Sequence, residues 1–339
     1  MQQQPEFPPV AEGTLLWEPS AERIAKSNLS RYTQWLGETR GLSFDSYDAL
    51  WQWSVVDLEA FWASIWDYFQ IKTHAPYTQV LDKRQVEGAK WFVGAELNYA
   101  EHALRRRDDH LAVVYGSEDS SPTYMTYAEL WGRTAEAAAG LRALGVQRGD
   151  KVVAYMPNIP ETLVAFLATA SIGAVWSSCP PEFGISSVVD RFQQLQPKVL
   201  LAVDGYRYAG KSFDSIPSVR DIQSQLPTLE TTVVLPCLDG HASVSGLVNA
   251  KLWDDVLVTG QELIFEPVPF DHPLWVLYSS GTTGAPKAIV QGHGGILIEH
   301  LKAHALHLDL TENDRFFWFT TTGWMMWNYI ISGLLHGSA

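Results

Sequence analysis

The sequence predicts an α/β fold, mainly parallel sheets with flanking helices, preceded by a mostly helical N-terminal segment. Two observations predict it. Beyond residue 106, short apolar runs alternate with helical stretches of roughly ten to fifteen residues, the pattern of βαβ units. Before residue 105, the apolar positions recur at helical spacing. The chain therefore divides into a helical, Trp-rich part, 1–105, and an α/β part, 106–339.

Each element has its own reason. Residues 1–12 are loose, three glutamines followed by prolines. Helical periodicity covers 20–35 and 57–69, and another helix follows Asn98-Tyr99. Residues 111–115 read as a strand. Thr126-Tyr127-Ala128-Glu129 has the spacing of a capping box and opens a helix that runs to Leu144, where Gly145 ends it. A strand over 151–156, a helix over 161–172 and an extended piece over 175–177 follow. Next come a helix over 187–195, stopped at Pro197, and strands over 199–203 and 231–235. Residues 212–227, with their serines and prolines, read as loop.

Composition narrows the class. Hydrophobic residues make up 46% and charged ones 18%, a globular balance that argues against disorder. The longest apolar stretch, 164–176, is interrupted by Thr169 and Ser171 and falls short of a membrane span. Met1-Gln2-Gln3-Gln4-Pro5 has neither the basic start nor the apolar core of a secretory signal. Cys179 and Cys237 make no disulfide framework or metal pattern, so a reducing cytoplasmic compartment is expected. The net charge of −14 disfavours nucleic acid and anionic membrane as partners. Arg105-Arg106-Arg107 is followed at once by Asp108-Asp109 and reads as a solvated helix end. Trp17, Trp51, Trp53, Trp62, Trp66 and Trp91 are expected to pack a lid or subdomain.

The richest chemistry lies at Ser279-Ser280-Gly281-Thr282-Thr283-Gly284-Ala285-Pro286-Lys287. An apolar strand, 274–278, empties into it, and a second apolar run, 288–290, follows. Gly281 and Gly284 let backbone N–H groups approach an anion, the hydroxyls add donors, and Lys287 adds a point charge. Such turns also occur where nothing binds, and composition alone leaves both readings open. The P-loop pattern does not fit, since only two residues separate the glycines and Lys287 is followed by Ala288. The loop lies at the carboxyl end of a strand, where ligands of parallel sheets gather.

From Tyr278 to Lys287 the string resembles the phosphate-binding motif of the acyl-adenylate-forming (AMP-binding) enzymes, which include the acyl-CoA synthetases. Further stretches extend the resemblance over nearly the whole chain. Trp91-Phe92 and Leu97-Asn98-Tyr99-Ala100-Glu101-His102 resemble the N-terminal segment of the acetyl and acetoacetyl enzymes. Trp176-Ser177-Ser178-Cys179-Pro180-Pro181-Glu182-Phe183-Gly184 and Gly323-Trp324-Met325-Met326-Trp327-Asn328 resemble the acetoacetate branch.

The resemblance implies an ATP-dependent acid–thiol ligase of cytoplasmic lipid and ketone-body metabolism. Acetoacetate, or acetate or another short acid as the alternative, would become an acyl-adenylate and then a CoA thioester. Ser279, Ser280, Gly281, Thr282, Thr283, Gly284 and Lys287 would hold the ATP phosphates. Lys287 and Thr282 are the catalytic candidates, with the Thr282 hydroxyl near Mg²⁺. Trp324, Met325, Met326 and Asn328 would border the acyl pocket, the alternative being a plain buried helix start. Arg207 and Lys211 stand where relatives bind the nucleotide phosphate of CoA, although the spacing is one residue longer and the second base is Lys. Surface solvation is the alternative for both. His300, His304 and His307 fall on one predicted helix without a further metal ligand in view. Nothing up to Ala339 matches the family's later motifs, so the expectation is a chain covering half of such an enzyme and inactive or nearly so alone. A non-catalytic relative or binding module is the alternative. A truncated sheet is also expected to expose an edge and to dissolve poorly.

Overall fold

The computed structural model describes residues 10–118, 120–238, 243–279 and 284–339. Its centre is a seven-stranded sheet: β1 Lys151–Tyr155, β2 Val175–Cys179, β3 Val199–Val203, β4 Thr231–Leu235, β5 Ala250–Leu252, β6 Pro273–Ser279 and β7 Lys287–Gly292. The spatial order is β5-β4-β3-β1-β2-β6-β7. Neighbours are parallel throughout except β6 and β7, which form an antiparallel hairpin.

The apolar runs of β1 and β3 are continuous because both faces are covered. Val152, Ala154, Val199, Leu201 and Val203 join one core, whereas Val153, Tyr155, Leu200 and Ala202 join the other. Helices Tyr127–Ala143 and Pro160–Ser171 contribute to the first core, and Ile185–Phe192 and Ile216–Ser224 to the second. Successive crossovers thus leave β1 and β2 over opposite faces, which opens a crevice at their carboxyl ends.

The capping box at Thr126 forms as expected. Glu129 N–H donates to the Thr126 hydroxyl at 3.2 Å, and Thr126 N–H donates to the Glu129 carboxylate at 2.7 Å. Such a cap stabilises a helix by about 1 kcal/mol.

Before residue 105 the helices are Ala21–Lys26, Asn28–Arg40, Tyr47–Val56, Leu58–Tyr68 and Tyr99–Ala103. Tyr32, Leu36, Ile65 and Trp66 share one continuous core with Trp176 and Trp275 of the sheet.

Four expectations need correction. The helix over 20–35 is two helices, because the Ser27 side chain accepts from Ser30 N–H and caps a second start. Residues 212–227 are not loop: they hold the end of a hairpin and the helix Ile216–Ser224. Pro217 misleads as a breaker, since it occupies the first turn, where its missing N–H costs nothing. Trp17 and Trp51 pack nothing tightly, being 67% and 52% exposed. The three arginines are docked rather than merely solvated. Arg105 donates to the carbonyls of Phe69 and Gln70, Arg106 pairs with Asp108 and Glu312, and Arg107 lies 3.5 Å over the Trp131 ring.

Candidate functional site

The phosphate-loop candidate is the tip of the β6–β7 hairpin. Ser279 closes β6, Lys287 opens β7, and the two are cross-strand partners. Both side chains are exposed. Ser280, Gly281, Thr282 and Thr283 lie outside the described residues. Gly284 takes φ +124°, a region open to glycine, and an added Cβ would meet nothing within 4 Å.

The stems of this hairpin are anchored by the end of the helix Ile185–Phe192. Tyr278 donates its hydroxyl to the Arg191 carbonyl at 2.6 Å, and Gln194 Nε2 donates to the Pro286 carbonyl at 3.1 Å. Burial raises the Tyr278 hydroxyl above its ordinary range, which keeps it a donor. Beside β6, Ser177 Oγ donates to the Val276 carbonyl at 2.8 Å, stitching β2 to the strand that feeds the loop.

The crevice at the ends of β1 and β2 is occupied by the segment 320–328. Thr322 is the pin: its hydroxyl donates to the Met156 carbonyl at 2.8 Å, and its own carbonyl accepts from Ser178 Oγ at 2.7 Å. At Gly323 an added Cβ would come within 2.7 Å of Pro180 Cδ, so only glycine lets the segment seat this deeply. Trp327 donates Nε1 to Asn158 Oδ1 at 2.9 Å and stacks on Trp176, with centroids 6.3 Å apart.

This seating divides the four acyl-pocket candidates. Trp324 and Met325 are 63% and 54% exposed, at the start of the helix Met325–Ile331, and Met326 is half-buried. Asn328 is inside, 1% exposed, with both carboxamide atoms unpartnered. Sequence reasoning missed Asn158 and Arg191, and quoted Ser178 only within a stretch of resemblance, without its contact to the segment 320–328. Asn158 comes from the loop after β1 and Arg191 from the helix Ile185–Phe192, so the two form no local motif.

Arg207 and Lys211 lie on a second hairpin, Gly205–Tyr208 with Lys211–Asp214, which leaves the carboxyl end of β3. The register pairs Arg207 with Ser212 and Tyr208 with Lys211. Successive pairs alternate faces, so the two cations stand on opposite sides of the ribbon instead of converging. The hairpin tip is taken as well: Ala209 and Gly210 N–H groups each donate to the Glu118 carboxylate at 2.9 Å.

The helix His293–Lys302 continues as a π-helical turn, Ala303–His307. His300 and His304 stack with centroids 5.6 Å apart, and His300 Nδ1 pairs with Ser332 Oγ at 2.7 Å, while His307 is exposed. Burial lowers His300 to about 4 and His304 to about 3, so both rings are neutral near pH 7. Among the described residues no group of three or more His, Cys, Asp or Glu side chains could hold a metal ion.

Comparison with known proteins agrees with this architecture. Residues 100–339 match the AMP-binding enzyme family, and residues 47–103 match the acetyl-coenzyme A synthetase N-terminus. The chain is 39% identical over 343 residues to the acetoacetyl-CoA synthetase of Gallus gallus, covering 98% of this chain and 51% of that protein. It is 40% identical over 326 residues to the acetoacetyl-coenzyme A synthetase of Rhizobium meliloti, covering 95% and 50%. The solved acetoacetyl-CoA synthetase from Streptomyces lividans superimposes with a TM-score of 0.91 at 50% identity, over 95% of this chain and 50% of that one. The chain thus spans about half the length of the relatives it matches. It belongs to the AMP-binding enzyme family, and along nearly its whole length it is similar to the N-terminal portion of acetoacetyl-CoA synthetases.

Proposed function

We propose that this chain is part of an ATP-dependent acid–thiol ligase that converts acetoacetate to acetoacetyl-CoA. The acid's carboxylate oxygen attacks the α-phosphorus of ATP and pyrophosphate leaves. The CoA sulfur then attacks the acyl carbon, losing its proton, and AMP leaves. A carboxylate is a poor electrophile, so the protein's part is to position the reactants and neutralise phosphate charge. Ser279, Gly284 and Lys287, with Ser280, Gly281, Thr282 and Thr283, hold the β- and γ-phosphates. Lys287 and Thr282 are the groups assigned to catalysis. Mg²⁺ enters with the nucleotide; the described residues offer it no carboxylate cluster, and the Thr282 hydroxyl is the proposed protein contact. Trp324, Met325 and Met326 border the acid, and Asn328 backs them from inside. Arg207 and Lys211 are proposed to reach CoA from opposite faces of their ribbon. The division into 1–105 and 106–339 belongs to the same proposal.

One observation carries this reading: Ser279 and Lys287 pair at the carboxyl end of β6, and Thr322 is pinned at the carboxyl ends of β1 and β2, strands of the same sheet in the order β1-β2-β6. The relatives supply the acid. The test is pyrophosphate release from ATP in the presence of CoA, with acetoacetate, acetate and 3-hydroxybutyrate offered in parallel. It is run on this chain and on the complete reading frame that contains it. Acetoacetate-dependent release, abolished by Lys287→Ala, supports the ligase. Silence from both proteins, with ATP binding unaltered by Lys287→Ala, leaves a non-catalytic binding module. No helix among the described residues is long and apolar enough to cross a membrane.

A further inference from the structure

We infer that Arg191 is a positioning residue for the phosphate loop, holding the β6–β7 hairpin in place against the loop that follows β2. This rests on the proposed reading of that hairpin as a polyphosphate site. Arg191 sits in the last turn of the helix Ile185–Phe192. Its guanidinium carbon lies 5.4 Å from the Phe183 ring centroid and 5.8 Å from that of Tyr278. The side chain is oriented from its own helix, because Nη1 donates to the Ser187 carbonyl and to Ser187 Oγ, each at 2.6 Å.

The contacts at this point form a grip on both stems of the loop. Tyr278 immediately precedes Ser279, and it is held twice: its hydroxyl by the Arg191 carbonyl, its ring by the Arg191 guanidinium. On the other stem, Pro286 immediately precedes Lys287, and Gln194 holds its carbonyl. On the far side of Arg191, Phe183 packs toward Gly323, where an added Cβ would lie 3.3 Å from Phe183 Cζ. Arg191 therefore stands between the phosphate hairpin and the segment that seats in the β1–β2 crevice.

Its charge suits the place. Among the described residues Arg191 forms no ion pair with a carboxylate, although the chain carries an excess of acids. A cation held over two aromatic faces is attracted to both rings. An anion arriving at the adjacent loop meets a positive field whose geometry is already fixed.

The experiment is calorimetric titration with MgATP, together with melting curves with and without inorganic pyrophosphate. The proteins are the wild-type chain, Arg191→Met, Arg191→Lys and, as reference, Lys287→Ala. Arg191→Met is expected to bind MgATP about tenfold more weakly, the effect of one charge-assisted contact. It should also lose most of its pyrophosphate-induced rise in melting temperature. Arg191→Lys, which keeps a cation over the rings, is expected within about threefold of wild type. A purely structural role would lower the ligand-free melting temperature and leave the MgATP affinity of the folded protein unchanged. That outcome overturns the proposal. If Arg191→Met does not fold, Tyr278→Phe removes the hydroxyl grip alone, and unaltered MgATP affinity in that variant overturns it equally. A wild-type chain that binds neither MgATP nor pyrophosphate overturns the phosphate reading itself, and the role of Arg191 with it.

Discussion

Two hairpins leave the carboxyl ends of the parallel sheet, and they treat their turns in opposite ways. The β6–β7 hairpin is held by its stems, through Tyr278, Pro286 and the end of the helix Ile185–Phe192. The hairpin after β3 is held by its tip. Ala209 and Gly210, with φ of 51° and 70°, turn their N–H groups onto Glu118. Both carry Gly and Lys near the turn, so composition alone does not separate them. The difference teaches that glycine content alone does not mark an anion site, because in the second turn the N–H donors are already satisfied by the protein itself.

The largest expected effect comes from acid, and it centres on the helix that follows the first hairpin. β7 leads directly into the helix His293–Lys302, and burial lowers His293 to about 3, His300 to about 4 and His304 to about 3. His336 next to His304 is likewise lowered, to about 4. These rings are neutral in the fold, while the unfolded chain protonates them below about 6.5. Stability from these rings is therefore full above pH 6.5 and is lost as pH falls toward 4. Between pH 6.5 and 5 the loss is about 2 kcal/mol for each ring that stays neutral. Melting temperature followed from pH 7.5 to 5 checks this, and a flat profile would show that these rings are not held neutral in the fold.

A steric contrast comes next. Gly205→Ala would put a Cβ 2.2 Å from the Phe213 carbonyl oxygen and 2.4 Å from Leu238 Cδ1. The expected destabilisation is about 3 kcal/mol. Gly284→Ala has open space and faces only backbone strain at φ +124°, about 1–2 kcal/mol. Urea midpoints rank the two, and equal losses would break the contrast between a packed base and an open turn.

The remaining effects are on ligands. Lys287→Ala should weaken MgATP about tenfold, and unaltered affinity would remove the first hairpin as a phosphate site. Glu118→Gln weakens the carboxylate's hold on the second tip, a contact of about 1 kcal/mol. CoA should then bind about threefold more tightly. No change would show that the second hairpin is no phosphate site even when opened.

The sequence revealed what local rules govern. β1, β3, β4 and β6 were legible because strands covered on both faces are continuous apolar runs. The Thr126 cap was legible because its partners lie three residues apart. β5, Ala250–Leu252, gave no such signal: it is short and partly exposed. In the candidate site, residue type in the loop string raised the anion reading and left the plain-turn reading open beside it. Arg207 and Lys211 were paired by resemblance despite a spacing one residue too long, and strand alternation puts them on opposite faces. Asn158 and Arg191 stayed hidden because only the tertiary fold brings them to the segment 320–328 or to the hairpin stems.

The pairing of Ser279 with Lys287 has one more consequence. Joining the ends of a loop this long costs about 2 kcal/mol of chain entropy. Here folding has already met that cost, so an arriving ligand meets a closed ring rather than a tether. The ring is in that sense portable. The closure depends on the stem alone: any antiparallel pair of the same register, with an aromatic hydroxyl donor ahead of it, would bring the two ends together.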